Sequence, residues 1–546
     1  MKPRLVRATV VGGLFALAAA APLGACSDDD TKKGRVGDDA GTSDGSTNVG
    51  GSAGQAGTGG TAGMGASAGT GGTGASAGAG AAAGNGGAGA TAGAGGIPAD
   101  AGSDADAGPT FHGLYVSPTG SDSGTGERMD PFATFTHAAS VALAGDTIVF
   151  LDGTHTAAQI TTVPDGVDVI ADNPGAATLS STTLGKVVLA GTTKVSGMIF
   201  DGFSPALEAT TGTLSVEDSN FAASASALDL SGNVVATLSA SVTHVWGGGA
   251  SFAYTHGSAS LTVNGGIFEN LAGSNVFRAT ETSTLNLSSV QITGGAAFPA
   301  TISGSAKATL DTVAVFTKSP QLFLVQNQAE LTITNSDLAM DPTSPSRLEC
   351  IRSELNGVGA ISLTDVKLHG CGTGINSQLP GTLTLLRTEI YANDFAGMDI
   401  GFGAGGTMDV ADSNIHDNGT YGMRLGGAGG GIYAIQFRMR GTSISNATEG
   451  LRITGDISSE WDLGKVGDPG GNTIAGSTTG LFSLVPATEQ VFAIGNNWLP
   501  NVQGADAQGH YSATGAGAVL DITGPGSTGL NYGVAYASSL RLAENP

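Results

Sequence analysis

The chain has 546 residues, of which 90 are glycine and only 5% are aromatic, and its formal net charge is −24. Nine of the 46 acidic residues and six of the 22 Lys and Arg residues precede residue 111, which leaves the rest of the chain near −21. Such a surface repels phosphate backbones and anionic lipid headgroups, so the composition excludes nucleic acid as a partner.

The first 26 residues have the features of an export signal. A short positive run precedes an apolar stretch at residues 8–22, which is too short for a membrane-spanning helix. The stretch closes on Leu23-Gly24-Ala25-Cys26, which resembles the lipobox of bacterial lipoproteins. The resemblance implies acylation of Cys26 and a membrane anchor. The alternative is an ordinary signal peptide with an incidental cysteine. Ser27, where an inner-membrane retention signal would carry Asp, favours the outer membrane.

Residues 27–110 are a low-complexity run of Gly, Ala, Ser and Thr with scattered Asp. Such a composition cannot form a core and predicts a flexible tether with an average reach of about 50 Å. We expect the tether to hold a monomeric, surface-exposed body away from the membrane.

Residues 111–165 are predicted to form a head with one short helix. Asp130 can cap this helix, Pro131 suits its first turn and Gly145 ends it. Four apolar residues fall on one face of the predicted helix: Phe132, Phe135, Ala139 and Leu143. A helix at this place would cap the open end of a solenoid, where strand edges are otherwise unpaired.

The same residues resemble a known domain. Tyr115-Val116-Ser117-Pro118, Pro131-Phe132-Ala133-Thr134 and Gly145-Asp146-Thr147-Ile148 are similar to a DUF1565-like domain of unknown function at the head of bacterial β-helix proteins. Further on, Ile415-His416-Asp417-Asn418-Gly419 resembles the repeat of the pectin-lyase-like superfamily, and residues 495–501 resemble the last coil of such lipoproteins. The resemblance implies a parallel β-helix, and it leaves the activity open because many functions share this scaffold.

Residues 166–546 are organised around a repeated octet whose first, third and eighth positions are apolar and whose sixth is Ser, Thr, Val or Gly. Nine copies occupy residues 214–221, 261–268, 285–292, 308–315, 331–338, 361–368, 383–390, 408–415 and 437–444, with weaker copies at 193–200 and 235–242. A period in the twenties with short alternating strands predicts an all-β, right-handed parallel β-helix solenoid of about eleven coils or slightly more. The eighth residues should stack into an interior ladder.

One outward row carries the candidate binding residues. Aligning the coils on Gly374, Gly397, Gly422 and Gly450 brings four polar residues two positions later into one row: Asn376, Asp399, Arg424 and Arg452. Asp399 and Arg424 lie on adjacent coils and could form a salt bridge, and the row could bind an acidic sugar. The alternative is a solvated face whose charge pairs guard the register and contribute at most about 1 kcal/mol each.

Cys350 and Cys371 are separated by 21 residues, close to one coil, and export permits a disulfide between them. The glycine alignment, however, places Cys350 opposite Gly374, three positions from Cys371. The sequence therefore does not decide between a disulfide and two reduced cysteines. The histidines show no metal-ligand spacing, so no metal site is predicted.

Two function hypotheses follow. Lyases of the pectin-lyase-like superfamily hold calcium with clustered aspartates, and hydrolases of this fold carry paired aspartates and a Gly-His-Gly. Neither pattern occurs in the coils, so no catalytic residue is assigned. The first hypothesis is a non-catalytic, cofactor-free lipoprotein that binds glycans or envelope partners. The alternative is a polysaccharide lyase or glycoside hydrolase with an atypical site, for which calcium is conceivable. A lyase should have a groove where at least three acidic side chains converge beside an Arg or Lys.

Overall fold

The computed structural model describes residues 112–535 with internal gaps, and the predicted signal, lipidation site and tether lie outside the described residues. The gaps are 223–225, 240–242, 246–250, 270–272, 356–358, 380, 403–405, 427–431, 434, 455, 458–460, 466, 485–489, 493–495, 499–510, 514–518 and 522–533.

Three stacks of parallel strands form the faces of a solenoid, and each coil runs from sheet 1 through sheet 3 to sheet 2. Within the described ranges, sheet 1 has seventeen strands: Gly113–Val116, Thr147–Phe150, Asp168–Ala171, Thr193–Ser196, Thr213–Glu217, Val235–Ser239, Ser260–Asn264, Thr284–Ser288, Lys307–Asp311, Glu330–Thr334, Ala360–Thr364, Thr382–Leu386, Gly406–Ala411, Ile435–Arg440, Trp461–Asp462, Gln490–Phe492 and Val519–Asp521.

Sheet 2 has sixteen strands in the same described part of the chain. They are Ile160–Val163, Lys186–Leu189, Leu207–Ala209, Leu228–Leu230, Ser251–Thr255, Asn275–Ala279, Phe298–Ile302, Phe323–Asn327, Glu349–Leu355, Thr373–Leu379, Ala396–Phe402, Tyr421–Leu425, Glu449–Thr454, Thr479–Leu484, Tyr511–Ala513 and Val534–Ala535.

Sheet 3 is described in a four-stranded and an eleven-stranded piece. The first contains Gly153–Thr156, Ala177–Ser180, Met198–Asp201 and Asn220–Ala222. The second contains Thr243–Val245, Ile267–Glu269, Gln291–Thr293, Ala314–Thr317, Asp337–Met340, Lys367–His369, Glu389–Tyr391, Asn414–His416, Ser443–Ser445, Thr473–Ala475 and Asn497–Trp498. Ile432–Tyr433 and Asp456–Ile457 form a separate pair. These stacks confirm an all-β parallel β-solenoid of the right-handed type with about eleven turns or more.

The predicted interior ladder is present. The eighth residues of successive octets pair in register from Phe268 through Ile292 to Val315, and onward to Ile444. No eighth residue of the nine octets is more than 3% exposed. Full burial of such a side chain contributes about 1.5–3 kcal/mol, so this ladder is a main source of stability.

The fifth and sixth positions of each octet form the sharp corner between sheet 1 and sheet 3. The fifth residue has a positive φ in every copy: Asp218, Gly265, Ser289, Thr312, Asn335, Asp365, Arg387, Asp412 and Gly441. The sixth residue turns inward, where Ser336 and Ser413 accept hydrogen bonds from backbone N–H groups of the preceding coil. A small or hydroxyl side chain at position six therefore fits the corner and satisfies a buried donor.

The octet at residues 235–242 is shifted by one residue. Val235 is 52% exposed, whereas Ala236 and Leu238 are buried and pair with Leu261 and Val263 of the next coil. The octet in this coil therefore begins at Ala236. The sequence window was wrong because Val235 is apolar but points outward.

One α-helix is described in the head, at Phe135–Val141. Its N-cap is Thr134, whose side chain accepts a hydrogen bond from the backbone N–H of His137. The predicted cap Asp130 instead accepts a hydrogen bond from the backbone of Thr125, because residues 125–130 form a turn of their own. The helix ends before Leu143, which is 73% exposed and not on the buried face. Its role as an end cap stays a prediction.

Candidate functional site

The structure places Asn376, Asp399, Arg424 and Arg452 in one outward row on sheet 2. They pair in register on four successive strands, each between residues that point into the core. We call these four residues the charged row. The glycine alignment located it because Gly374, Gly397, Gly422 and Gly450 hold equivalent positions, where each added Cβ would strike the backbone oxygen of the next coil.

The expected ion pair between Asp399 and Arg424 is present. The Nε of Arg424 donates to Oδ1 of Asp399 over 2.7 Å, and Nη2 donates to Oδ2. The side chains are only 14% and 28% exposed, so the pair is partly shielded from water. Burial lowers the pKa of Arg424, but the hydrogen bonds and charge of Asp399 outweigh it and raise the pKa above its ordinary value. Arg424 is therefore a permanently charged, oriented group.

Two aromatic rings hold the arginines of the charged row. The guanidinium carbon of Arg424 lies 5.3 Å from the ring centroid of Phe395 and 5.4 Å from that of Tyr421. The guanidinium carbon of Arg452, which is on the next coil, lies 5.5 Å from the ring centroid of Tyr421. Cation–π contacts of this kind contribute about 0.5–1 kcal/mol at exposed sites. Sequence reasoning missed both rings, although Tyr421 directly precedes one of the aligned glycines.

Two glutamates complete the polar surroundings. Arg452 donates to Glu449 over 3.2 Å and to the hydroxyl of Tyr421 over 3.3 Å. At the other end of the row, Asn376 donates to Glu349 over 3.1 Å. The charged row is thus an array of mutually bonded groups in which each positive side chain has an acidic neighbour.

A second polar site lies on sheet 1. A cavity of about 430 Å³ opens between strands Gly406–Ala411, Ile435–Arg440 and Trp461–Asp462, and it is lined by Thr407, Met408, Asp409, Gln436, Phe437, Arg438, Asp462 and Lys465. We call it the sheet 1 pocket. Arg438 of this pocket forms two long ion pairs within the described residues, 3.4 Å to Asp409 and 3.6 Å to Asp468.

Arg440 anchors the wall of this pocket. Its side chain is 10% exposed and donates to the backbone oxygens of Met439 and Asp462 and to the carboxylates of Asp462 and Asp468. The hydrogen bond from Arg440 lowers the pKa of Asp468 from its ordinary value. The strands Trp461–Asp462 and Thr473–Ala475 are separated by more residues than the two of the preceding coil, and Arg440 holds Asp468 of this longer connection beside the pocket.

Three stacked rings occupy an outward row of sheet 3. His369 and Tyr391 have ring centroids 4.6 Å apart, and Tyr391 and His416 lie 5.3 Å apart with an angle of 2° between the rings. The nitrogens of His416 contact Asp417 over 2.7 Å and Glu389 over 3.2 Å. Because the rings face one another, their flat faces within the stack are covered. We therefore regard the stack as part of the scaffold.

Cys350 and Cys371 form a disulfide with Cα atoms 5.6 Å apart, and both side chains are fully buried. The strand register places Cys350 opposite Gly374, as the glycine alignment predicted. Cys371 lies in the corner just before Thr373–Leu379, where the chain turns back toward the interior. The offset of three positions therefore did not prevent the bond.

The residues of the charged row do not suit a calcium site. The carboxylate of Asp399 is taken up by Arg424, and that of Glu449 lies against Arg452. In the described part of the chain, no group of three or more His, Cys, Asp or Glu residues could hold a metal ion.

No described helix has the length and hydropathy of a membrane span.

Comparisons with known proteins give matches only among solved structures. No family model and no curated protein matches the chain. It is similar to the periplasmic alginate epimerase AlgG, at 10% identity and a TM-score of 0.34 over 72% of this chain and 84% of that one. The A-module of the Azotobacter vinelandii mannuronan C-5 epimerase AlgE6 matches at 13% identity and 0.27, over 71% and 94%. Pectate lyase Pel9A matches at 16% identity and 0.26, over 66% and 82%.

Proposed function

We propose that this chain is a lipoprotein of the outer membrane, anchored through Cys26, whose surface-exposed solenoid binds polysaccharide along the charged row without catalysing a reaction. The observation that carries the proposal is the set of contacts around Arg424. Its guanidinium is oriented by Asp399 and by the rings of Phe395 and Tyr421, so little side-chain freedom remains to be lost on binding.

The geometry of the row suits a linear sugar chain. Neighbouring strands lie about 4.8 Å apart, so the row presents a polar side chain at a repeat close to the length of a pyranose ring. Asparagine, aspartate and arginine together offer both donors and acceptors to hydroxyl groups. Phe395 is 37% exposed at the side of the row, where an apolar sugar face can pack against it.

The local charge restricts the ligand further. Asp399 and Glu449 offset the charges of Arg424 and Arg452, so a ligand is selected by hydrogen bonding more than by net charge. A chain with hydroxyl and occasional carboxylate groups fits this surface. A highly charged polyanion does not, because the body as a whole is strongly acidic.

Binding of polysaccharides to the full-length protein in detergent tests the proposal. A glycan array identifies a binding chain, and calorimetry then compares wild type with the Asp399→Asn, Arg424→Met variant. We expect at least a tenfold loss of affinity. The matched control is Asp365→Asn, Arg387→Met, which removes an equally well-formed but more exposed pair on a corner. Equal affinities for the two double variants would refute a role for the charged row.

One observation favours the alternative, a polysaccharide lyase or glycoside hydrolase. Asp409, Asp462 and Asp468 converge around Arg438 and Arg440 at the sheet 1 pocket, which is the arrangement expected of a lyase groove. Each carboxylate is already ion-paired, which disfavours a role as base or metal ligand. Release of unsaturated, ultraviolet-absorbing products from acidic polysaccharides, lost in an Arg438→Gln variant, would establish catalysis in place of binding alone.

A further inference from the structure

Eight successive positions in one outward row of sheet 1, between Lys194 and Asp409, carry only hydroxyl and amide side chains. Eight consecutive strands place one such residue each in register: Ser215, Thr237, Thr262, Asn286, Thr309, Thr332, Ser362 and Thr384. All eight are exposed or half-buried. We call them the hydroxyl row. With strands about 4.8 Å apart, it extends over about 34 Å.

The absence of charge in this row is not required by the fold. Outward positions of a strand need only be polar, and the neighbouring rows of the same sheet do carry charges. Lys307 and Glu330 form an ion pair of 2.9 Å on one side, and Asp311 accepts hydrogen bonds on the other. In a chain of net charge −24, these eight uncharged residues on successive strands form a distinct neutral stripe.

The hydroxyl row leads directly into the sheet 1 pocket. Thr384 pairs in register with Asp409, Asp409 with Arg438, and Arg438 with Asp462. The cavity of about 430 Å³ therefore lies at the C-terminal end of the same row. This volume is within the range of small-molecule sites, about 300–1,000 Å³, and the wall anchored by Arg440 is already formed.

We propose that sheet 1 is a second carbohydrate face, on which an uncharged, extended polysaccharide lies along the hydroxyl row with its end in the sheet 1 pocket. Hydroxyl and amide groups both donate and accept, as sugar hydroxyls do. A neutral chain on this row contacts no charged side chain until it reaches the pocket. Its binding along the row therefore does not require a charged group to lose its bound water. In the pocket, Asp409 and Arg438 supply an acceptor and a donor to the terminal ring.

Binding of soluble, unbranched β-linked glucose oligomers to the full-length protein tests the proposal. Affinity is expected to rise with chain length, and a Thr309→Arg, Ser362→Arg variant should bind long oligomers at least tenfold more weakly. The matched control is Thr293→Arg, Ser443→Arg, which places the same side chains outward on sheet 3 and should change affinity less than twofold. Thermal unfolding verifies that all variants fold.

The outcomes separate this proposal from the one for the charged row. The proposal for sheet 1 is supported if neutral oligomers bind the Arg424→Met variant as tightly as wild type but do not bind the hydroxyl-row variant. Failure of every neutral oligomer to bind, or equal losses in the hydroxyl-row variant and the sheet 3 control, overturns it. Binding only of a sparsely carboxylated polysaccharide, such as highly methyl-esterified pectin, that is lost in Arg424→Met overturns it while leaving the charged row as the polysaccharide site.

Discussion

The Asp399–Arg424 pair decides whether the charged row is a rigid site or an ordinary solvated surface. Exposed ion pairs contribute about 0.2–1 kcal/mol, whereas removing one partner of a fully buried pair costs about 3–5 kcal/mol. With 14% and 28% exposure, this pair lies between these cases, and the two ring contacts of Arg424 add to it. We expect Asp399→Asn to destabilise the protein by about 2 kcal/mol. A double-mutant cycle with Arg424→Met should give a coupling of about 1–1.5 kcal/mol.

Urea unfolding followed by circular dichroism, at low and at high salt, measures this coupling. The control cycle is Asp365→Asn with Arg387→Met, because that pair likewise makes two hydrogen bonds, each 2.7 Å long, while its side chains are 41% and 51% exposed. We expect the control coupling to be several-fold smaller and to fall further with salt, since exposed pairs are screened. Equal couplings in the two cycles would refute the view that burial and ring contacts make the charged row rigid.

Three further predictions concern the scaffold. Thr312→Gly should stabilise the protein by about 0.5–1 kcal/mol in urea unfolding, because a β-branched residue is strained at φ 56° and glycine is not. Burial raises the pKa of Glu389, but hydrogen bonds from His416 and Lys367 outweigh it and lower the pKa from its ordinary value of 4.5. The contribution of Glu389 to folding stability is therefore present above pH 4.5 and is lost as the pH falls below it. Glu389→Gln should make stability depend less on pH in this acid range. Replacing Cys350 and Cys371 by alanine should lower stability by about 3 kcal/mol, measured without reductant.

The interior of the solenoid could be predicted from the sequence because burial leaves a periodic signal. An inward residue such as Ile390 must be apolar in every coil, and its partner Ile415 is found by repeating the spacing. The octet at residues 235–242 shows where prediction from the apolar spacing fails. Val235 is apolar yet exposed, so hydrophobicity alone placed that octet one residue early. Strand register, which alternates the side chains, decides between the two windows.

The corners and the candidate site were only partly predictable. Six of the nine residues at position five are Asp, Asn or Gly, which adopt a positive φ more readily than other residue types, so composition marks this corner in part. The signal fails at Ser289, Thr312 and Arg387, whose residue types have no such preference. The fold imposes this conformation because the octet must turn within two residues. Likewise, the charged row was located by glycine spacing, but Phe395 reaches Arg424 from a corner of another coil, a contact that no spacing rule contains.

The scaffold also explains why binding should belong to rows and not to single residues. In-register pairing repeats each outward position once per coil, so a change at one position alters one contact among several at equal spacing. A linear ligand that engages successive coils gains from each of them, and its affinity should fall gradually with single substitutions but sharply when a long charged side chain interrupts the row. The charged and hydroxyl rows lie on different sheets and differ in charge. The two proposed sites therefore do not overlap.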